Sequence, residues 1–177
     1  MQRRFRRPRH RATAFWVLIL LVLVFRAWQV SRSPQAPSDL AEGMYAVARV
    51  VDGDTLKLAN GAVIRLIGVD TPETVKHDHP VEPWGPEASA FTKDFIGRSP
   101  VRLQFDRERV DDYGRFLGYA WVNERMLNEE LVRAGLARFR PFFRYSDAMK
   151  TRFRKAEQEA QAARRGLWSS QSAGKAA

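Results

Sequence analysis

Two closely spaced turn signals constrain the fold of this chain more than any other feature. They are Asp52-Gly53 and Asn60-Gly61, and Asn-Gly between two apolar runs is the strongest short-range signal for a β-hairpin. The runs that adjoin these turns, Thr55–Ala59 and Val63–Val69, have the composition of strands. The sequence therefore predicts an antiparallel hairpin in this segment.

This hairpin would bring acidic side chains from its two ends close together. Asp54 stands at the start of the first strand and Asp70 at the end of the second, with Arg65 between them and Glu73 just beyond. Carboxylates beside an arginine are suited to bind a cation and a phosphate. The simpler interpretation is that aspartates only stabilise turns, and we accept it for Asp52 alone.

Length and composition limit the number of domains and the kinds of site. The 177 residues have room for one domain and a tail, and a hydrophobic content of 45% can supply a core. There are no cysteines, so disulfides and thiolate metal sites are excluded.

The positive charge of the chain is concentrated near its beginning. The formal net charge is +10, but residues 1–39 contain eight arginines and one aspartate, which makes +7. Residues 40–177 contain 22 basic and 19 acidic residues, which makes +3. The overall basic balance is therefore not by itself a sign of nucleic-acid binding.

The N-terminal segment combines a basic tail, residues 1–11, with an apolar run, residues 12–30, that is interrupted by Arg26. This order is typical of a membrane anchor or a secretion signal. An uncleaved anchor is favoured because no convincing small-residue cleavage site follows closely, and the six arginines before the run argue against a buried core helix. The rest of the chain would lie outside the cytoplasm, in the periplasm or at the cell surface, or be secreted if the segment is cleaved.

A Pro/Ser-rich linker over 31–43 precedes the expected folded domain over 44–170, and residues 171–177 read as a flexible tail. Five strands and three helices are expected in the domain, in the order βββαββαα. The helices are expected near 86–96, 127–134 and 147–165, and 106–112 is expected to be a charged loop. Short hairpin-linked strands with a helix before the fourth favour a small closed barrel, of which the OB-fold is the natural candidate.

A His-x-His pair, His77 and His79, lies in the loop after Glu73. Such a pair can bind a metal. In a polar loop without an evident third ligand, it is more often solvated.

Four separate motifs resemble the signatures of the staphylococcal-type thermonuclease family. They are Asp52–Glu73, Gly85–Ala88, Asp111–Tyr119 and Leu131–Ala137, in the family's order and spacing. The resemblance covers Met44–Trp168. It implies a five-stranded OB-fold barrel with three α-helices, and a calcium-dependent phosphodiesterase that acts on DNA and RNA.

The resemblance also implies roles for individual residues. Asp54 and Asp70 match the two carboxylates that bind the metal, and Thr71 matches the residue whose backbone carbonyl binds it. Arg65 and Arg115 match two phosphate-binding arginines, and a salt bridge to a barrel carboxylate is the alternative role for each. Carboxylate and carbonyl oxygens are suitable ligands for calcium. A guanidinium group can donate two parallel hydrogen bonds to one phosphate.

Glu73 matches the carboxylate usually cast as general base. The nucleotide pocket departs from the family pattern, because Asp112 stands in place of a lysine and Pro141 and Phe143 in place of two tyrosines. Tyr113 is kept, and Phe143 can still stack on a base. We therefore expect Tyr113 and Phe143 to bind substrate, with weaker recognition of a terminal phosphate.

Two other functional classes compete with a monomeric, membrane-anchored nuclease. One is a non-catalytic nucleic-acid-binding OB barrel on a membrane anchor; members of that kind typically lose the acids or arginines, which are all present here. The other is a protein-interaction module whose surface is the charged C-terminal helix. Absence of nucleic-acid binding at low salt, with no cleavage in any divalent ion, would indicate the interaction module.

Overall fold

The computed structural model of the protein describes residues 10–31, 37–74 and 82–169. The chain divides into two compact units, Met1–Pro34 and Gln35–Ala177, and each is described by itself. The loop with His77 and His79 lies outside the described residues, as do most of the predicted basic tail and the tail after Ser169.

The first unit contains one helix, α1 (His10–Ser31). Between Phe15 and Val24 nearly all of its apolar side chains are more than half exposed within this unit. Among the residues that the structure describes, none of the helices combines the length and apolar character needed to cross a membrane. The predicted span over 12–30 is thus not confirmed, and several of its side chains lie outside the described part of the chain.

The second unit is an OB-like α+β domain made of short strands and three α-helices. The strands are β1 (Gly43–Tyr45), β2 (Val47–Asp52), β3 (Thr55–Leu58), β4 (Val63–Leu66), β5 (Val69–Asp70), β6 (Val101–Val110), β7 (Phe116–Val122), β8 (Arg125–Met126) and β9 (Arg138–Phe139). The helices are α2 (Gly85–Ile96), α3 (Leu127–Arg133) and α4 (Asp147–Ala162), and a 3₁₀ turn follows at Gly166–Trp168. The three predicted helices of the domain are confirmed.

The predicted hairpin forms between β3 and β4, which pair antiparallel with Thr55 opposite Arg65. Gly61 has a φ of 89°, which a residue without Cβ adopts at little cost. The Asn60 side chain accepts a 3.1 Å hydrogen bond from the N–H of Ala62, which stabilises the turn. The Asn-Gly pair thus fixes the register that places Arg65 beside the start of β3.

One bent strand connects the two ends of the main sheet. The sheet has the order β1-β6-β7-β4-β3-β2, with β4 and β7 parallel. Only Ala46 separates β1, which pairs with β6, from β2, which pairs with β3. The path through the sheet therefore returns to the segment where it began, as in a small OB-like barrel.

Strand β6 is longer than the sequence predicts. The prediction of a charged loop over 106–112 is wrong for residues 106–110, which belong to β6. Val110 pairs with Phe116 of β7 after an irregularity in the register. Apolar alternation stops at Phe105, so the pattern gave no signal for the extension. The charged side chains are held by specific partners instead, as where Asp106 accepts a 2.8 Å hydrogen bond from the Tyr119 hydroxyl.

The packed core also extends upstream of Met44. Leu40 is 3% exposed and belongs to the core. The carboxylate of Glu42 accepts a 2.8 Å hydrogen bond from the N–H of Phe105. Part of the segment predicted as a linker thus packs against β6.

A buried asparagine ties α3 to the barrel. Asn128 is 0% exposed, and its Nδ2 donates to the carbonyls of Ile67 and Gly118 at 3.0 and 3.2 Å. Its Oδ1 accepts from the N–H of Ala120. Because this buried amide makes all three hydrogen bonds, it holds Ile67, the residue directly after β4, in place. Ile67 is close in sequence to Asp70.

Candidate active site

A cavity of about 300 Å³ lies at the end of the hairpin. It contains every residue that the sequence predicts to bind metal, to bind phosphate or to act as base. Its lining residues are Val51, Asp52, Asp54, Thr55, Arg65, Asp70, Thr71, Glu73 and Arg115.

Asp54 lies at the base of this cavity and is 5% exposed. Its Oδ2 accepts a 2.8 Å hydrogen bond from the N–H of Thr71, and its Oδ1 accepts one from the Thr55 hydroxyl at 3.0 Å. Burial raises the pKa of the Asp54 carboxyl and nearby Asp70 adds to the rise, while Arg65 and the Thr71 N–H oppose it. The charged form of this carboxylate is therefore costly and needs positive charge beside it.

Arg65 connects the two aspartates. It is 8% exposed, and its Nη1 and Nη2 lie 2.8 Å from Asp54 Oδ2 and Asp70 Oδ1 respectively. Nη1 also donates to the backbone carbonyls of Leu66 and Val69. The predicted proximity of Asp54 and Asp70 is therefore present, with the arginine between them.

A turn built on Asp111 presents Arg115 to the cavity. The Asp111 carboxylate accepts hydrogen bonds from the N–H groups of Tyr113 and Arg115 and from Arg115 Nε at 2.7 Å. Gly114 completes the turn with a φ of 75°. The salt bridge considered as the alternative role for Arg115 is therefore present, and its partner is Asp111 of the preceding turn.

Asp52 and Gly53 shape the loop that carries Thr71. The Asp52 carboxylate accepts from the N–H of Gly53 and from the hydroxyls of Thr74 and Ser89, so its predicted role as a turn residue is confirmed. A Cβ on Gly53 would lie 2.9 Å from the Thr71 side chain, so these segments pack closely. The buried Oγ1 of Thr71 has no hydrogen-bond partner within the described part of the chain.

Glu73 is half-buried and lines the cavity. Its backbone N–H donates to the carboxylate of Glu82 at 3.1 Å. Tyr113, by contrast, is 85% exposed in the turn, with its ring 5.4 Å from the Arg115 guanidinium. The structure thus brings Glu73 to the acids and leaves Tyr113 at the surface beside Arg115.

A second cavity of about 370 Å³ shares Arg65 and Asp70 with the first. It holds the predicted substrate residue Phe143 together with three residues that sequence analysis missed. These are Glu108, Arg140 and Phe142. Arg140 directly follows β9. The pairing of β9 with β5 joins segments that are about 70 residues apart, and no local pattern indicates such a pairing.

The carboxylates alone do not complete a metal site. Within residues 10–31, 37–74 and 82–169, no group of three or more Asp, Glu or His side chains is arranged to hold a metal ion. A cation here would use Asp54 and Asp70 with backbone carbonyl or water oxygens, which calcium accepts.

Comparison with known proteins matches this domain to one family. Residues 63–170 match the model of the family described as Staphylococcal nuclease homologue. The chain is 44% identical over 138 residues to the Thermonuclease of Staphylococcus hyicus, covering 75% of this chain and 79% of that protein. It is 42% identical over 137 residues to the Thermonuclease of Staphylococcus intermedius, covering 76% and 81%.

A third relative is the SPbeta prophage-derived endonuclease YokF of Bacillus subtilis (strain 168). It is 40% identical over 129 residues, which are 68% of this chain and 42% of that longer protein. The family match covers more than half of the chain and agrees with the four motifs identified in the sequence. The chain therefore belongs to the staphylococcal nuclease homologue family.

Proposed function

We propose that this protein is a nuclease that hydrolyses phosphodiester bonds in DNA and RNA. The names of its relatives, two thermonucleases and an endonuclease, support this class of hydrolase. One structural observation carries the proposal: a single cavity is lined by two carboxylates joined through an arginine, a third carboxylate and a second arginine. These residues are Asp54, Asp70, Arg65, Glu73 and Arg115.

We further propose a calcium ion, held by Asp54, Asp70 and the backbone carbonyl of Thr71. The donors are hard oxygens, and a cation would stabilise the charged form of a buried carboxyl whose pKa burial raises. When bound, the ion would stabilise negative charge that develops on the phosphate and help to place the attacking water. A site with so few protein ligands suits calcium better than magnesium, which demands near-octahedral geometry.

The residues of the chain have distinct tasks in this proposal. Glu73 accepts the proton of the attacking water while the water oxygen bonds to phosphorus and the bond to the leaving oxygen breaks. Arg65 and Arg115 donate to the phosphate oxygens, each worth about 10²–10³ in rate. The contacts of Arg65 with the described residues involve Nη1 and Nη2, and a guanidinium has five N–H donors, so donors remain for phosphate.

Substrate bases would stack next to this site. Phe143 lines the second cavity, and Phe142 beside it is 87% exposed. Aromatic rings stack on any base, so this surface suits single-stranded substrate of mixed sequence. Asp112 and Tyr113 are exposed in the turn before Arg115. Pro141 and Phe143 stand where the family has two tyrosines. Without those two phenol hydroxyls, recognition of a terminal phosphate is weaker.

The N-terminal segment would place the nuclease domain outside the cytoplasm. The proposal rests on the order of the basic residues 1–11 and the apolar residues 12–30, and on the exposed apolar side chains of α1. A reporter enzyme that is active only in the cytoplasm, fused after Ala177, should be silent. Strong reporter activity would overturn this topology.

Cleavage of single-stranded DNA by the purified full-length protein tests the proposed activity. Calcium should give short products, magnesium should support cleavage poorly, and excess chelator should abolish it. Asp54→Asn, which keeps the shape of the side chain and removes its charge, should be inactive in calcium. Full activity in chelator would overturn the cation site, and binding without cleavage in any divalent ion would favour the non-catalytic barrel.

A further inference from the structure

All four oxygen atoms of the two cavity aspartates already have a donor from the protein. Oδ1 of Asp54 accepts from the Thr55 hydroxyl, and Oδ2 lies 2.8 Å from Arg65. Oδ1 of Asp70 accepts from Arg65 at 2.8 Å, and its Oδ2 accepts from Nε and Nη2 of Arg140 at 3.0 and 2.6 Å. Both oxygens of Asp70 face a guanidinium, so a cation that approaches Asp70 competes with an arginine for this carboxylate.

The two arginines differ in how firmly they are held. Arg65 is buried and also donates to the carbonyls of Leu66 and Val69. The Arg140 side chain is 45% exposed, and among the described residues its guanidinium contacts Asp70 alone. A partly exposed ion pair costs far less free energy to break than a buried one. The contact of Arg140 with Asp70 is therefore the one that a cation would break more easily.

The backbone holds Arg140 beside Asp70. Strands β5 and β9 pair with Asp70 opposite Arg138, and the N–H of Arg140 donates to the carbonyl of Gly68 at 2.8 Å. The Tyr145 hydroxyl donates to the Arg140 carbonyl at 2.9 Å. The side chain therefore remains close to Asp70 even when its ion pair is broken.

We propose that Arg140 is an internal competitor of the divalent cation. Its guanidinium occupies Oδ2 of Asp70 when no cation is bound and leaves this oxygen when the cation arrives. This inference rests on the proposed function, because the cation is the one that Asp54 and Asp70 would hold. Arg140 raises the cation concentration that the protein needs, both by occupying a ligand and by placing a positive charge beside the site.

Isothermal titration of the full-length protein with calcium chloride tests this role without reference to activity. Arg140→Gln should bind calcium about five-fold more tightly than the parent, the size of effect typical of a partly exposed Arg–carboxylate pair. Arg140→Lys keeps the charge but loses the fork, so its Kd should lie between the two. Arg144→Gln removes the same charge from an exposed position in the following loop and should bind like the parent.

The outcomes separate this inference from the proposed function. If the parent binds calcium, Asp70→Asn does not, and Arg140→Gln has the same or a weaker affinity than the parent, the cation site stands and the role of Arg140 is overturned. Equal tightening by Arg144→Gln would show a general charge effect and would also overturn it. If Asp70→Asn binds calcium like the parent, or no variant binds calcium, the proposed cation site itself is wrong.

Discussion

The guanidinium of Arg65 lies 2.8 Å from the carboxylate of Asp54, and both side chains are buried. Arg65 is on β4, where it pairs with Thr55 of β3, and Asp54 is in the turn directly before β3. The salt bridge considered as an alternative role for Arg65 is therefore present, and it coexists with the position at the cavity that phosphate binding requires. Arg65 thus contributes to stability as well as to the proposed chemistry.

Arg65→Gln should lower the free energy of unfolding by about 3 kcal/mol, because it leaves the buried Asp54 carboxylate without its partner. Chemical denaturation at neutral pH measures this change. Arg115→Gln is the matched control: the Arg115 side chain is 33% exposed, against 10% for Arg65, and its partner Asp111 keeps its backbone hydrogen bonds, so the loss should be only about 1 kcal/mol. Equal losses in the two variants would contradict a specific structural role for Arg65.

Arg115→Lys should lower the rate of cleavage by about 10²-fold while stability changes little, since the charge remains but the bidentate fork is lost. Steady-state cleavage of single-stranded DNA in calcium gives the rate. Arg125→Lys, the same substitution at an exposed residue that pairs with Glu130, should cleave like the parent. Parental activity of Arg115→Lys would mean that Arg115 does not bind the phosphate.

The hydrogen bonds of Asp106 in strand β6 predict a pH-dependent contribution to stability. Partial burial favours a higher pKa for Asp106, but hydrogen bonds from the N–H of Ser146, the Tyr119 hydroxyl and the N–H of Arg107 together hold the pKa below its ordinary value of 3.8. A carboxyl whose pKa is lower in the folded state stabilises the fold above the unfolded pKa. That contribution is lost as the pH falls through the folded pKa.

Asp106→Asn should therefore lower the free energy of unfolding by about 1.5 kcal/mol at neutral pH, where the lost hydrogen bonds are to a charged group. The difference from the parent should shrink at acid pH, below the ordinary value of 3.8, as the pH falls through the lowered pKa of the folded Asp106. Denaturant titrations of both proteins at the two pH values measure it. A difference that stays constant with pH would contradict the assigned pKa direction.

The sequence predicts the parts of this molecule that depend on local patterns. The Asn60-Gly61 turn fixes the hairpin, and with it the proximity of Asp54 and Arg65, because hairpin register follows from turn type. Asp70 lies beyond β4, on β5, which pairs with β9 instead. The four motifs identify the family, which the family match and the relatives confirm. The end of β6 at Val110 escaped prediction because apolar alternation stops at Phe105, so the charged residues after it carry no strand pattern.

The contacts that complete the cavities depend on pairings between distant segments. Arg140 reaches Asp70 through the pairing of β5 with β9, and neither two-residue strand has a sequence pattern of its own. The ion pair between Arg115 and Asp111 is local, but Asp-Asp-Tyr-Gly also reads as an ordinary turn. The contact between Arg140 and Asp70 therefore becomes visible only when the tertiary structure is known.

The most direct test of the proposed nuclease is the single-turnover rate of cleavage by Glu73→Gln in saturating calcium. This substitution keeps the shape of the side chain and removes the proton acceptor, so the rate should fall about 10²-fold or more. Thermal unfolding should change little, and Glu124→Gln, at an exposed turn away from the cavity, should cleave like the parent. A Glu73→Gln protein that cleaves at the parental rate would contradict the assignment of this cavity as the active site.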